Sequence, residues 1–215
     1  MKTKITVTLD QARSWFNSGN KELRKLALQA FDKDALVGNF RDITTFEKAC
    51  EVLGLHHSAM ISDVDFIAIV SVSAAAMLKL NIIRKALNLG YDMHFAKNPR
   101  NSFLYYPYNP LVTISEGYNY YKDELNSGIL QVTGRVKIEG VRYSVLSGYV
   151  TYDINSGLGD FNYQTGVCKC HSDVSFLGCA TEEIAEHFGK YFGMLITEAK
   201  YGDLDFEVIE SKYII

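Results

Sequence analysis

Thr181-Glu182-Glu183-Ile184-Ala185-Glu186-His187-Phe188-Gly189-Lys190-Tyr191-Phe192 opens the element on which the fold class turns. Thr181 is an N-cap residue, because its hydroxyl can accept from the free amides of a first helical turn. Glu182 and Glu183 then sit where the helix dipole favours negative charge. Ile184, Phe188, Phe192 and Leu195 recur at helical spacing, so a helix is expected from about Thr181 to Tyr201 with one apolar stripe.

The residues before it have a different texture. Ten of the fourteen tyrosines lie between Tyr105 and Tyr163, among regularly spaced glycines. Ile129–Thr133 and Arg135–Ile138 are strand formers, and Glu139-Gly140 reads as a tight turn into a strand over Val141–Asp153. Four or five antiparallel strands are expected between Phe103 and Cys170, with a short final strand near Asp205–Ile209.

Upstream, helical periods dominate. Lys4–Leu9 alternates like a strand. Asp10 is placed to cap a short helix carrying Ala12, Trp15 and Phe16, and Asn20 to cap a second with Leu23, Leu26, Ala27 and Ala30. Thr44 or Thr45 caps a third, Phe46–Leu53, closed by Gly54. The longest candidate runs from about Ser62 to Asn88. Its start, Phe66–Val72, is β-branched enough to be a strand instead, with Ser73 capping a shorter helix. The order predicts an α+β fold, with N- and C-terminal helices packed on an antiparallel, tyrosine-rich β-meander. It is read as a single domain over 1–215 with 103–170 as a β-rich insertion.

Composition narrows the function classes. At 47% hydrophobic and three prolines in 215 residues the chain can bury a core. The net charge of −3 exerts no general pull on phosphate backbones. Residues 103–170 hold five Lys or Arg against six Asp or Glu, so stacking of bases on this aromatic sheet lacks the basic groove it needs. The most apolar run, Phe66–Leu78, is thirteen residues, short of the roughly twenty of a membrane span, and is expected to be buried. Met1-Lys2-Thr3-Lys4 does not lead into an apolar signal region, so the four cysteines are expected as thiols.

Motifs for chemistry are few. Cys168, Cys170, His171 and Cys179 are the one grouping of zinc-ligand types, but the first pair is Cys-x-Cys where structural sites commonly use Cys-x-x-Cys. Buried small hydrophobes are the simpler account, and no cofactor is expected. His56-His57 reads as a loop pair and His187 as a half-buried packing residue. Asp63 and Asp65 read as the polar start of the long helix, and the loop between Asp153 and Asp160 lacks calcium-loop spacing. There is no P-loop, no complete G-x-G-x-x-G, no G-x-S-x-G and no H-E-x-x-H. Tyrosine offers a large contact area with few torsions to freeze. Tyr118, Tyr120, Tyr121, Tyr143, Tyr149 and Tyr152 are therefore the candidate interaction residues.

Three segments carry a resemblance: Ala76–Asn88, Tyr105-Tyr106-Pro107-Tyr108 and Thr181–Phe192, with Phe46–Leu55 upstream. Together they resemble a module of uncharacterised proteins from Bacteroides and from the crAss-like phages that infect them. Members carry an Arg-Leu-Cys-Phe-like strand before the last helix, whereas this chain has Ser175-Phe176-Leu177-Gly178-Cys179, and its 111–166 region is longer. The resemblance implies a phage context and no catalytic residue. The expectation is a non-enzymatic virion component that contacts other virion proteins or copies of itself, without a membrane partner. The alternatives are an early-infection protein that binds a host factor in the host cytoplasm, and a zinc-dependent enzyme.

Overall fold

The computed structural model describes residues 6–18, 20–89, 103–113, 121–128, 130–153, 161–163, 166–167 and 177–213. The chain is α+β. Helices α1 (Leu9–Asn17), α2 (Lys21–Ala30), α3 (Lys33–Val37), α4 (Phe46–Leu53), α5 (His57–Ala68) and α6 (Val72–Leu87) come first. Strands β1 (Phe103–Tyr108) and β2 (Leu111–Thr113) follow, then the short helix α7 (Lys122–Ser127). Next come β3 (Gln131–Ile138), β4 (Val141–Asp153), β5 (Phe161–Tyr163) and β6 (Gly166–Val167). Helix α8 (Glu182–Tyr201) and β7 (Phe206–Ser211) end the described chain.

Every pairing in the sheet is antiparallel. Strand β4 is its spine. One edge of β4 takes β1 along its second half and β2 along its first. The other edge takes β3 and β5, with β7 beyond β3. The β3–β4 turn is at Glu139 (φ 49°) and Gly140 (φ 80°), two left-handed residues whose twist suits a two-residue hairpin.

Where two strands were expected with Gly134 between them, β3 is a single strand with an irregularity at Val132/Gly134. The extra residue puts Thr133 and Gly134 on the same side, facing α8: the Thr133 hydroxyl donates to the Val145 carbonyl at 3.2 Å, and a side chain on Gly134 would strike Met194.

Helix α8 is buried almost all round, beyond the single stripe its sequence suggested. Phe188, Phe192, Leu195 and Ile196 join the main core with α4, α5 and α6, while Met194 packs against Val136, Ile138 and Val145 of the sheet. It lies as a middle layer between the N-terminal helices and the sheet, as a helix apolar on every side must. The sheet approaches it where it is thinnest. Asn109, at the break between β1 and β2, donates through Nδ2 to the Leu146 carbonyl at 2.9 Å and the Gly189 carbonyl at 3.0 Å. Both acceptors are carbonyl oxygens, which fixes the amide's orientation.

Four local expectations give way. Thr6, Val7 and Thr8 form no strand, and Thr8 rather than Asp10 caps α1, in a capping box with Gln11. The long helix is two helices, because Ser71 rather than Ser73 caps α6 and stops α5 short of it. The run Phe66–Leu78, expected to be buried throughout, is buried only in part, since α5 turns away and leaves its C-terminal end in solvent.

A Cβ on Gly193 would overlap Asn109 Nδ2 and lie 3.3 Å from Thr133 Oγ1. Gly193→Ala is expected to destabilise the protein by about 1–3 kcal/mol through overpacking. An unchanged urea midpoint would show that α8 does not need this close approach.

Candidate contact surfaces

The corner between α5 and α6 carries the most exposed of the large apolar side chains in the described structure. Phe66 is 73% exposed, Ile69 81% and Val70 85%. Its frame is built from hydrogen bonds. Ser71 Oγ accepts from the Ala74 amide at 2.9 Å and donates to Asp203 Oδ2 at 2.6 Å. The other Asp203 oxygen accepts from the Ser73 amide at 3.1 Å. Ser73 Oγ in turn accepts from the Asp203 amide at 3.2 Å and donates to the Glu198 carbonyl at 3.3 Å.

The carboxylate therefore closes the start of α6 and bolts it to the turn after α8. The Ser71 hydroxyl, then the Ser73 amide, hold the Asp203 carboxyl below its ordinary value, so it stays charged. The same turn brings Leu204, also exposed, to this corner. Asp63 and Asp65 stand on the exposed side of α5 just before Phe66, in the second half of that helix and not at its start.

A second exposed surface lies on α2. Its Ala27 packs with Ala12, Phe16 and Leu36 in a small core of its own. Lys21, Lys25 and Leu28 fall on the outward side at i, i+4 and i+7. Arg24 is also exposed, and its guanidinium lies over the Phe16 ring, 4.6 Å from the centroid.

The sheet tyrosines are placed as follows. Tyr143 is half-buried on the α8 side, packed with Val136, Ile138, Val145 and Met194. Tyr121 packs with Leu125 against Val112, Leu130 and Leu146, seating α7 on the opposite face. Tyr149 and Tyr152 are on β4, with Cα partners Pro107 and Leu104 in β1. Tyr118 and Tyr120 lie outside the described residues. The face of β3 away from α8 carries charge, with Arg135–Glu210 at 3.1 Å and Lys137–Glu207 at 3.6 Å paired across β3 and β7. Periodicity in α2 and the apolar run at the end of α5 were the signals for the two exposed surfaces. The expectation of burial over Phe66–Leu78 hid the latter.

Cys168, Cys170, His171 and the Asp153–Asp160 loop beyond Asp153 lie outside the described residues. Cys179 is buried, and burial pushes its thiol up to about 12 against the opposing Arg84 charge and Asn88 hydrogen bond. Among the described residues, no group of three or more His, Cys, Asp or Glu is placed to hold a metal ion, and no helix is long and apolar enough to cross a membrane. Hydrogen bonding to its own backbone amide, then to Thr181, lowers the Glu183 carboxyl, consistent with its place in the first turn of α8.

His187 is a structural residue. Its Nε2 meets the Ile43 carbonyl at 2.8 Å, so Nε2 carries the proton and donates. Phe40 and Tyr191 flank the ring. Comparison of the chain with family models, with curated proteins and with solved structures finds no match.

Burial, chiefly, pushes the His187 imidazole below its ordinary value near 6.5, with Lys190 and Arg41 adding to the effect and the Ile43 bond opposing it. The unfolded chain thus binds this proton more tightly. The stability His187 contributes is complete above about pH 6.5 and is lost as pH falls toward the depressed native value. Urea unfolding between pH 7.5 and about 5 should show this decline, and His187→Gln should flatten it. Equal pH slopes in both proteins would remove the assignment.

Proposed function

We propose that this protein is a non-enzymatic contact protein, a virion structural or accessory component that works by binding other virion proteins or copies of itself. The observation that carries the reading is the α5–α6 corner, where Phe66, Ile69 and Val70 stand in solvent on a frame tied by the Asp203 carboxylate. Single exposed apolar residues are ordinary, but three within five positions at one corner mark a place where another surface docks. A pre-ordered frame also reduces what binding must spend on ordering the contact. Tyr118, Tyr120, Tyr121, Tyr149 and Tyr152 remain contact candidates in addition to this corner. Tyr143 has a packing role that accounts for its ring.

The phage setting rests on the resemblance carried by Ala76–Asn88, Tyr105–Tyr108 and Thr181–Phe192. Quantitative mass spectrometry of purified particles against infected-cell lysate tests it. Enrichment in particles at a fixed stoichiometry is the expected result. Presence in lysate and absence from particles would sink the virion reading and favour a host-factor binder in the cytoplasm.

A further inference from the structure

We infer that copies of this chain join head to tail, with the basic face of α2 in one copy seated on the acidic, apolar α5–α6 corner of the next. The inference rests on the contact-protein reading and names the partner. Each surface carries what the other lacks. Helix α2 presents Lys21, Lys25 and Leu28, the leucine 45% exposed, and neither lysine forms a salt bridge among the described residues. The corner presents Phe66 and Val70 with Asp63 and Asp65 before them and Asp203 beside them. Between Lys48 and Lys79 the chain has no lysine or arginine, so no cation from α5 or from the start of α6 neutralises that corner.

Charge decides the symmetry. A two-fold contact of corner on corner would set Asp63 and Asp65 against their own copies, and α2 on α2 would do the same with lysines. Like charges facing each other at close range oppose docking. Only the unlike pairing satisfies both surfaces. It cannot be made within one copy as it stands, because both surfaces are exposed and belong to different cores, α2 with α1 and α3, the corner with α4, α6 and α8. Such a contact is heterologous. It propagates into a filament or, where the rotation closes, a ring.

Two variants of the full chain test this, each with one surface spoiled. Lys21→Glu with Lys25→Glu and Leu28→Ser removes the α2 face, and Phe66→Ser with Val70→Ser removes the corner. All five positions are exposed, and circular dichroism and thermal unfolding check that each variant folds. Should the first variant lose structure, Lys25→Glu alone replaces it.

Sedimentation velocity over a concentration series is the readout. The wild type is expected to grow past a dimer with concentration, and less so at high salt, where charge pairing is screened. Each variant alone should associate at least about tenfold more weakly. An equimolar mixture should give one discrete 1:1 heterodimer, since one intact α2 face meets one intact corner and growth then stops.

A wild type that stays monomeric, a single variant that still associates like the wild type, or a mixture of folded variants that stays monomeric would each overturn the inference. The two readings fail separately. A monomeric protein that is nevertheless enriched in particles loses this pairing and keeps its role as a contact protein. A self-associating protein absent from particles does the opposite.

Discussion

One amide nitrogen of Asn109 holds the sheet to helix α8, by hydrogen bonds to the Leu146 carbonyl of β4 and the Gly189 carbonyl of α8. The contact exists because position 193 on that helix is a glycine. A side chain at 193 would occupy the place of the Asn109 amide. With the helix backbone this close, Thr133 and Gly134 of β3 also face it, and the irregularity in β3 is what points both of them the same way. The opposite side of α8 is then free to carry Phe188, Phe192, Leu195 and Ile196 into the helical core. The sheet and the N-terminal helices are thus held together mainly through a shared middle layer.

That arrangement sets what is left outside. Helix α8 ends at Tyr201, and the turn that follows delivers Asp203 to the start of α6. The carboxylate ties Ser71 and Ser73 in place, and α5 must end before them. Phe66, Ile69 and Val70 are exposed as a consequence of that stop. In a smaller core, α1, α2 and α3 bury Ala12, Phe16, Ala27 and Leu36 among themselves and turn the lysines of α2 outward. An acidic apolar corner and a basic helix face are thus held on separate cores.

Much of the architecture was legible in the residues. Asn20, Thr45 and Thr181 cap their helices through side-chain oxygens, Gly54 closes α4 in the left-handed conformation, and Glu139-Gly140 turns β3 into β4. These are short-range effects, set by residues within one turn of each other, and local chemistry suffices for them. The candidate contact surfaces were less legible. Tyrosine enrichment pointed to the sheet, where Tyr143 and Tyr121 pack against apolar neighbours. Enrichment reports the residue type that fills a strand face and does not say which side of that face meets a layer.

The sequence by itself determined the α+β class, the helix caps at Asn20 and Thr181, the antiparallel hairpin and the apolar character of the run from Phe66 to Leu78. Only the tertiary structure decided that α8 is buried on both sides, that Asn109 and Gly193 set how closely the sheet approaches, and that Asp203 fastens the start of α6 to the turn after α8 across 130 residues of chain. The division follows from range. Caps and turns are energies between neighbours in sequence. Burial is a property of what comes to lie opposite, and Phe66 and Phe188 are the same amino acid with opposite fates because only one of them has a layer on its far side.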